Sequence, residues 1–273
     1  MTVPNALIIV DPQNDFVTGS LAVPNAASIF PNINVIAPLF QTVAITVDNH
    51  PADHASFIAN GGTWPPHCIA GTRGAYVTTR LEARSVKRTF FRKGRDAATE
   101  AYSGFDGKTT CDECDAEKPL ADWLHSVDAK RVFIVGLATD YCVKATALDA
   151  IKYGFEVVVL TDCIAAVSPG TGMAALDEMA RAGCLLRTSA DVELELADEE
   201  PAAQTRYFVT LARTVTELVE VPILAESAEE AIVKAKTRVW NYATNRIDVA
   251  KWHPISSSED CTIDATPAPS ARK

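Results

Sequence analysis

The chain has 273 residues, 48% of them hydrophobic and 22% charged, which suffices for one large or two unequal domains and excludes a wholly disordered chain. Acidic residues outnumber basic ones 35 to 25, and the resulting charge of −10 disfavours a nucleic-acid binder, because binding phosphates requires a basic face. No apolar run reaches the roughly 20 residues that span a bilayer, and the N-terminus lacks the pattern of a signal peptide. We therefore expect a cytoplasmic protein without membrane contact.

Short apolar runs alternate with segments of helical character over about the first 190 residues. The predicted strands cover residues 6–10, 43–47, 85–90, 131–136, 156–161 and 184–187. The predicted helices lie at residues 26–40, 120–127, 141–153 and 170–182, and Ser168 and Pro169 are typical of the start of the last one. Near-continuous apolar runs such as VFIVG are typical of strands buried on both faces of a parallel sheet. The alternation predicts an α/β fold with a doubly wound, mostly parallel sheet flanked by helices.

An acidic stretch after this region marks the predicted end of the first domain, which covers residues 1–190. Residues 191–204 include DVELELADEE and are interpreted as an acidic linker. Residues 205–253 predict a ββα module, with strands at 207–212 and 215–224 and a helix that begins with a capping box of Ser227 and Glu230. The polar tail at 254–273, rich in Pro and Ser, predicts disorder.

Histidines and one aspartate cluster after the second predicted strand. Asp48 and His50 follow that strand directly, and His67 lies in WPPHC. Two imidazoles and a carboxylate suit Zn²⁺, Fe²⁺ or Mn²⁺ and leave coordination positions open for water or substrate. Because D-x-H is a short and common pattern, a polar loop with surface histidines is the alternative. His54 is either a fourth ligand or a hydrogen-bond partner of a bound water.

Cys142 is the candidate nucleophile, because it lies where the strand at 131–136 gives way to a helix beginning near Tyr141. A thiol at a helix N-terminus is close to the positive end of the helix dipole, which favours the reactive thiolate. Backbone N–H groups of the same turn can stabilise an oxyanion. A buried, inert cysteine is the alternative.

The remaining cysteines give weaker signals. Seven cysteines, an odd number without regular spacing, indicate free thiols rather than a disulfide scaffold. Cys111 and Cys114 form a C-x-x-C in an acidic stretch without a second pair of ligands nearby, so we interpret them as part of a surface loop. A redox pair is the alternative.

Asp11 and Lys93 are further candidates, each near the end of a predicted strand. A carboxylate just past a hydrophobic strand is partly desolvated and can exchange a proton with a thiol and a leaving amine. Lys93 would pair with Asp11 and hold it ionised; a turn cap and a solvated lysine are the alternatives. Because the carboxyl ends of parallel strands share one edge, where ligand crevices form, we expect both residues to lie near Asp48, His50 and Cys142.

Six motifs occur along the chain in this order: ALIIVDPQNDF, TVDNHPADHASF, WPPHC, FFRKG, AYSGF and GLATDYCVKATALDA. Together they resemble the nicotinamidase/pyrazinamidase branch of the isochorismatase-like hydrolases over about residues 5–190. The resemblance implies an isochorismatase-like fold and a metal-containing cysteine amidohydrolase of NAD salvage, which converts nicotinamide or pyrazinamide to the acid and ammonia through a thioester. The alternatives are a cysteine amidohydrolase for carbamoyl or ureido substrates and a non-enzymatic scaffold that uses the C-terminal module.

The resemblance also implies roles for individual residues of the reaction. Cys142 corresponds to the nucleophile, Asp11 to the carboxylate that transfers protons and Lys93 to its partner. It implies a cis peptide bond between Leu137 and Ala138, which turns the N–H groups of Ala138 and Cys142 toward an oxyanion.

The resemblance implies one bound divalent metal ion, Zn²⁺ in the first place, with Fe²⁺ or Mn²⁺ as alternatives. The implied ligands are Asp48, His50 and His67, whereas the position of His54 ligates metal in only some members of the family. The implied substrate-binding residues are Phe16, Trp64, Tyr102 and Leu137.

The segment RYFVTLARTVTELVEVPILAESAEEAIVKA is similar to the small DpnD/PcfM-like ββα domain. The expected partner of the chain is a small-molecule amide substrate. The sequence leaves open whether the chain forms a homo-oligomer and what the C-terminal module binds.

Overall fold

The computed structural model describes residues 4–82, 88–109, 117–198, 205–214, 217–225 and 265–267, and beyond residue 196 it describes the backbone alone. The chain divides into two compact units, Met1–Ser189 and Ala190–Lys273. In the described ranges, no helix is long and apolar enough to cross a membrane. The C-x-x-C of Cys111 and Cys114, for which we predicted a surface loop, lies outside the described residues.

The first unit is built on a seven-stranded sheet. Its strands are β1 (Asn5–Val10), β2 (Val43–Asp48), β3 (Arg88–Lys93), β4 (Lys108–Thr109), β5 (Arg131–Leu137), β6 (Glu156–Ala165) and β7 (Leu185–Arg187). They lie in the order β4-β3-β2-β1-β5-β6-β7, and every neighbouring pair is parallel except the antiparallel pair of β3 and β4. The predicted α/β fold with a mostly parallel sheet is therefore confirmed.

In the described part of the first unit, five α-helices lie between these strands. They are α1 (Asn14–Val17), α2 (Phe30–Ile36), α3 (Leu120–Ser126), α4 (Lys144–Lys152) and α5 (Pro169–Arg181). The helix expected at 26–40 is instead divided into a 3-10 turn at Ala26–Ile29, α2, and a second 3-10 turn at Ala37–Leu39 that contains Pro38, which has no N–H to donate. The start of α5 agrees with the prediction, since Ser168 accepts a hydrogen bond from the N–H of Thr171 and Pro169 is the first helical residue.

Two element boundaries differ from the predictions in ways that matter for the site. The third strand is described from Arg88, because residues 85–87 of its predicted range lie outside the described residues, and it continues beyond residue 90 to Lys93, which pairs in register with Asp48. A charged residue after an apolar run predicts the end of a buried strand. Here two buried carboxylates balance the charge of Lys93, so the strand includes it. The helix expected at 141–153 begins with a π-turn at Thr139–Val143 before α4, an irregularity frequent at functional sites.

Apolar side chains fix the strand ends relative to one another. Alternate residues of β1 pack with residues of α3 and α4 in one buried cluster that includes Ala6, Ile8, Val10, Leu120, Leu124 and Ala147. Burying one large aliphatic side chain contributes roughly 1.5–3 kcal/mol to stability. The positions of the side chains that follow the strands thus depend on this packing.

The second unit contains a three-stranded antiparallel sheet of β8 (Thr205–Thr214), β9 (Glu217–Ala225) and β10 (Ala265–Pro267), in the order β10-β8-β9. Strands β8 and β9 fall where the ββα module was expected, whereas the helix expected from Ser227 lies outside the described residues. The acidic segment expected to be a linker is helical at its start, in α6 (Ser189–Asp198). In the tail expected to be disordered, residues 265–267 form a strand, because β8 supplies backbone partners that local composition does not reveal.

Candidate active site

The carboxyl ends of β1, β2, β3 and β5 meet at one edge of the first sheet. Asp11 follows β1, Asp48 ends β2, Lys93 ends β3 and Cys142 follows β5. All four side chains are buried. The structure thus places residues from four distant stretches of chain in one cluster.

Lys93 lies at the centre of this cluster. Its Nζ is 3.0 Å from Oδ2 of Asp11, 2.5 Å from Oδ1 of Asp48 and 3.5 Å from Sγ of Cys142. It also donates a hydrogen bond of 3.0 Å to the carbonyl of Ala101. Burial by itself lowers the pKa of a lysine, but the two carboxylates hold the pKa of Lys93 well above its usual range. Lys93 is therefore a buried cation.

The two carboxylate oxygens of Asp11 differ in their contacts. Its Oδ1 accepts a hydrogen bond of 2.7 Å from the Thr46 hydroxyl. Its Oδ2 forms the ion pair with Lys93 but accepts no hydrogen bond of regular geometry from the described residues. Burial raises the pKa of Asp11 more than the charge of Lys93 lowers it. This carboxylate is thus poised to accept a proton, and Oδ2 is the oxygen that remains available for it.

Cys142 lies in the π-turn after β5, and the peptide bond between Leu137 and Ala138 is cis, as the resemblance implied. The carbonyl of Cys142 accepts a hydrogen bond of 2.6 Å from the Thr146 hydroxyl. Burial raises the pKa of the Cys142 thiol well above its usual value, and the charge of Lys93 only partly offsets this. Burial therefore outweighs the expected lowering of the pKa by a helix N-terminus, and this agrees with the expectation that a carboxylate takes the proton of the thiol.

Asp48, His50 and His67 form a set of possible metal ligands. One donor atom of each lies within 4.8 Å of the other two. Nδ1 of His50 is 2.9 Å from the carbonyl of Gly94, and Nδ1 of His67 is 2.8 Å from the carbonyl of Pro65. Both contacts assign the proton to Nδ1 and leave Nε2 as an acceptor, so the donors fit a divalent ion.

The electrostatics of Asp48 and His67 suit a cation, whereas those of His50 favour a bound proton. Burial raises the pKa of Asp48, but the charge of Lys93 and the contact with His50 together outweigh it and keep the pKa below its usual range, so the carboxylate is ionised. Burial lowers the pKa of His67, which favours the neutral imidazole that binds metals. Burial likewise disfavours protonated His50, but the contact with the Asp48 carboxylate and the hydrogen bond to Gly94 together raise its pKa.

His54 is buried beside this set but both of its ring nitrogens are engaged. Nδ1 is 2.7 Å from the Ser56 hydroxyl and Nε2 is 3.2 Å from the carbonyl of Thr99. Its ring packs against that of His50, with the centroids 4.2 Å apart. His54 thus packs beside His50 and is not among the three converging donors.

A pocket opens next to Cys142, with about 410 Å³ of empty space that is partly open to solvent. Phe16, Trp64 and Tyr102 line it, as the resemblance implied, and Trp64 Nε1 donates a hydrogen bond of 3.0 Å to the Tyr102 hydroxyl. Leu137 is completely buried and does not line this pocket; the adjacent Ala138 does. Further lining residues, which sequence reasoning missed, are Leu21, Val23, Glu100, Tyr141 and Val167.

Sequence reasoning also missed two side chains that hold the site in place. Thr46, in the middle of β2, binds Asp11, and no local pattern distinguishes it from other buried strand residues. Asp140 accepts hydrogen bonds from the N–H groups of Val167 and Ser168 and from the hydroxyl of Thr171, and so ties the nucleophile turn to the start of α5. Its position two residues before the candidate nucleophile was the available signal.

Fold and site together define a hydrolase of the α/β class with a buried thiol and a metal-ligand set. Residues 5–191 match the family model of the Isochorismatase domain, and the chain belongs to that family.

Two curated relatives extend across this region. The nicotinamidase/pyrazinamidase of Mycobacterium tuberculosis is 42% identical over 181 residues, which cover 64% of this chain and 93% of that protein. The nicotinamidase of Escherichia coli is 35% identical over 214 residues, which cover 70% of this chain and 97% of that protein.

Solved structures agree with these relatives. The chain is similar to PnC1 from L. infantum in complex with nicotinate, with 38% identity, a TM-score of 0.62, and coverage of 69% of this chain and 96% of that one. It is also similar to the pyrazinamidase of Pyrococcus horikoshii in complex with zinc, with 38% identity, a TM-score of 0.59, and coverage of 68% and 99%.

Proposed function

We propose that this chain is a cytoplasmic nicotinamidase of NAD salvage, which hydrolyses nicotinamide, and also pyrazinamide, to the acid and ammonia. The observation that carries the proposal is the contact of one buried ammonium, Lys93, with both Asp11 and the sulfur of Cys142. The relatives named nicotinamidase and the similar structure that holds nicotinate support the choice of substrate. Catalysis belongs to the domain at 1–190.

The first step is attack by sulfur on the carboxamide carbon. Asp11 takes the proton of Cys142, and the thiolate forms the C–S bond while the electron pair of the C=O bond moves to oxygen. Lys93 stabilises the sulfur anion as it forms. The backbone N–H groups of Ala138 and Cys142 donate to the oxyanion.

The second half of the reaction releases both products. Asp11 returns the proton to the leaving nitrogen, so that ammonia departs and a thioester remains on Cys142. The same carboxylate then takes a proton from water, whose oxygen attacks the thioester carbon. Collapse of this intermediate breaks the C–S bond, reprotonates the sulfur and leaves the carboxylic acid.

Asp48, His50 and His67 would hold one divalent ion, with Zn²⁺ as our first assignment and Fe²⁺ or Mn²⁺ as alternatives, because the oxygen and nitrogen donors suit all three. When bound, the ion supplies a Lewis-acidic position for the pyridine nitrogen and so orients the ring. The aromatic side chains of Phe16 and Trp64 bound the space for that ring.

Ammonia release by the purified protein tests the proposal. We expect turnover of nicotinamide and pyrazinamide, and little of carbamoyl or ureido compounds, which have no ring nitrogen to orient. Cys142→Ala should abolish turnover and leave the metal content unchanged. Cys184→Ala is the matched control, because Cys184 is also buried but lies outside the site. Substantial ammonia release by Cys142→Ala would refute the covalent scheme, and a preference for ureido substrates would refute the substrate assignment.

A further inference from the structure

Gln13 is a completely buried polar side chain for which the reaction gives no role. It follows β1 by three residues and precedes α1. A buried amide is costly unless its donors and acceptor are all paired. Its hydrogen bonds therefore indicate what the fold uses this side chain for.

The Gln13 amide binds the backbone of one residue, the metal-ligand candidate Asp48, at two points. Its Nε2 donates to the carbonyl of Asp48 and its Oε1 accepts from the N–H of Asp48, both at 2.8 Å. Nε2 also donates at 2.8 Å to the carbonyl of Ala75. The side chain thus uses one acceptor and two donor contacts, all with backbone groups.

This arrangement replaces a missing strand neighbour. The pairing of β1 with β2 runs in register from Leu7 to Ile9, and the last backbone bond on that side joins the N–H of Asp11 to the carbonyl of Thr46. The chain then leaves the sheet, since Asp11 has a φ of 46°. Asp48, at the end of β2, would have no backbone partner on that side, and the Gln13 amide supplies one.

The two bonds fix the place from which the Asp48 carboxylate extends. That carboxylate lies 2.5 Å from Nζ of Lys93 and 3.5 Å from Nε2 of His50, so a shift of the Asp48 backbone moves the converging donors apart. We propose that Gln13 is a positioning residue that holds Asp48 in the geometry required for binding the metal ion. The inference rests on the metal site of the proposed function.

Metal binding by full-length variants tests this inference without any use of turnover. Gln13→Met keeps the length of the side chain and removes all three hydrogen bonds, and Gln13→Asn keeps the amide on a shorter arm. Asn14→Leu is the matched control, because the Asn14 amide also binds the segment before Ala75, at the carbonyl of Arg73, but does not contact Asp48. Each protein is stripped of metal, titrated with Zn²⁺ against a chromophoric chelator, and loaded with Co²⁺ for its absorption spectrum.

We expect the Zn²⁺ dissociation constant to rise about 10- to 100-fold in Gln13→Met, as for other residues that orient metal ligands, with a smaller rise in Gln13→Asn and none in Asn14→Leu. The Co²⁺ bands, which report the coordination geometry, should change in both Gln13 variants and not in the control. Loss of stability alone would not change them.

The inference is overturned if Gln13→Met binds Zn²⁺ within about twofold of the unsubstituted protein and shows the same Co²⁺ spectrum. If Gln13→Met does not fold, Gln13→Asn decides by the same criteria. Failure of the unsubstituted protein to bind Zn²⁺ or Co²⁺ would overturn the metal site of the proposed function as well. If the unsubstituted protein binds the metal and the Gln13 variants bind it equally well with the same Co²⁺ spectrum, only the inference about Gln13 is overturned.

Discussion

The ammonium of Lys93 lies 3.5 Å from the sulfur of Cys142 and also contacts the carboxylate of Asp48, so one side chain connects the nucleophile with the metal-ligand set. Because Lys93 is in register with Asp48 on β3, this connection is built into the pairing of two strands. A substitution of Lys93 is therefore expected to change both the reactivity of the site and the stability of the fold.

Lys93→Met should affect both properties. Removing the cation leaves two buried carboxylates without compensation, which typically costs about 3–5 kcal/mol. We expect the free energy of unfolding, measured by urea denaturation, to fall by about that amount, and kcat/KM to fall by at least about 100-fold. The double variant Lys93→Met with Asp11→Asn should recover part of the stability and none of the activity. Near-normal turnover in Lys93→Met would show that the lysine does not assist the sulfur.

Gly94→Ala should disrupt the metal site through His50. Gly94 has a φ of +64°, and a Cβ at this position would lie 2.4 Å from Cε1 of His50. We expect the variant to lose most of its bound metal, measured by elemental analysis. Gly71→Ala is the control, since Gly71 has a φ of +79° but open space around the added Cβ. It should carry only the backbone penalty of about 1–2 kcal/mol and retain its metal. Equal metal content in both variants would contradict the prediction.

Thr46→Val should reduce kcat more than it changes KM. The substitution keeps the shape of the side chain but removes the hydroxyl that binds Oδ1 of Asp11 at 2.7 Å. Asp11 would then be less well oriented toward the sulfur, and we expect kcat to fall about 10- to 100-fold. Thr46→Ser keeps the hydroxyl and should restore most of the rate. Steady-state kinetics on nicotinamide check both variants, and equal losses in Val and Ser variants would assign Thr46 a packing role instead.

The pH profile of kcat/KM should reflect the environment of Asp11. The carboxylate must be ionised to accept the thiol proton, and burial raises its pKa above the ordinary value of 3.8. Activity should therefore fall, as the pH is lowered, through a pKa above 3.8. Metal content is measured at each pH, because protonation of the histidine ligands would also remove activity. An acidic limb at or below 3.8 with the metal retained would contradict the assignment of Asp11 as the base.

Local sequence was enough to predict the layout of the catalytic domain. Apolar runs such as ALIIV and VFIVG are typical of strands that are buried on both faces. The parallel sheet was therefore predictable from these runs and from their alternation with helical segments. Candidate residues near the strand ends followed from the same pattern, because parallel strands present their carboxyl ends at one edge. The family motifs added individual roles, and the cis peptide bond before Ala138 agrees with them.

Only the tertiary structure decided how these residues act together. Burial raises the pKa of the Cys142 thiol, whereas its place at a helix start predicted a lowered one, because desolvation depends on neighbours from the whole fold. His54 is not among the three converging donors, although its ring packs against that of His50, and Ser56 and Thr99 contact its two nitrogens. The Gln13 amide forms hydrogen bonds with the backbone of Asp48, which is 35 residues away in the sequence, and no local pattern predicts this contact. Such contacts arise between distant segments, and their energies depend on distances that exist only after the chain has folded.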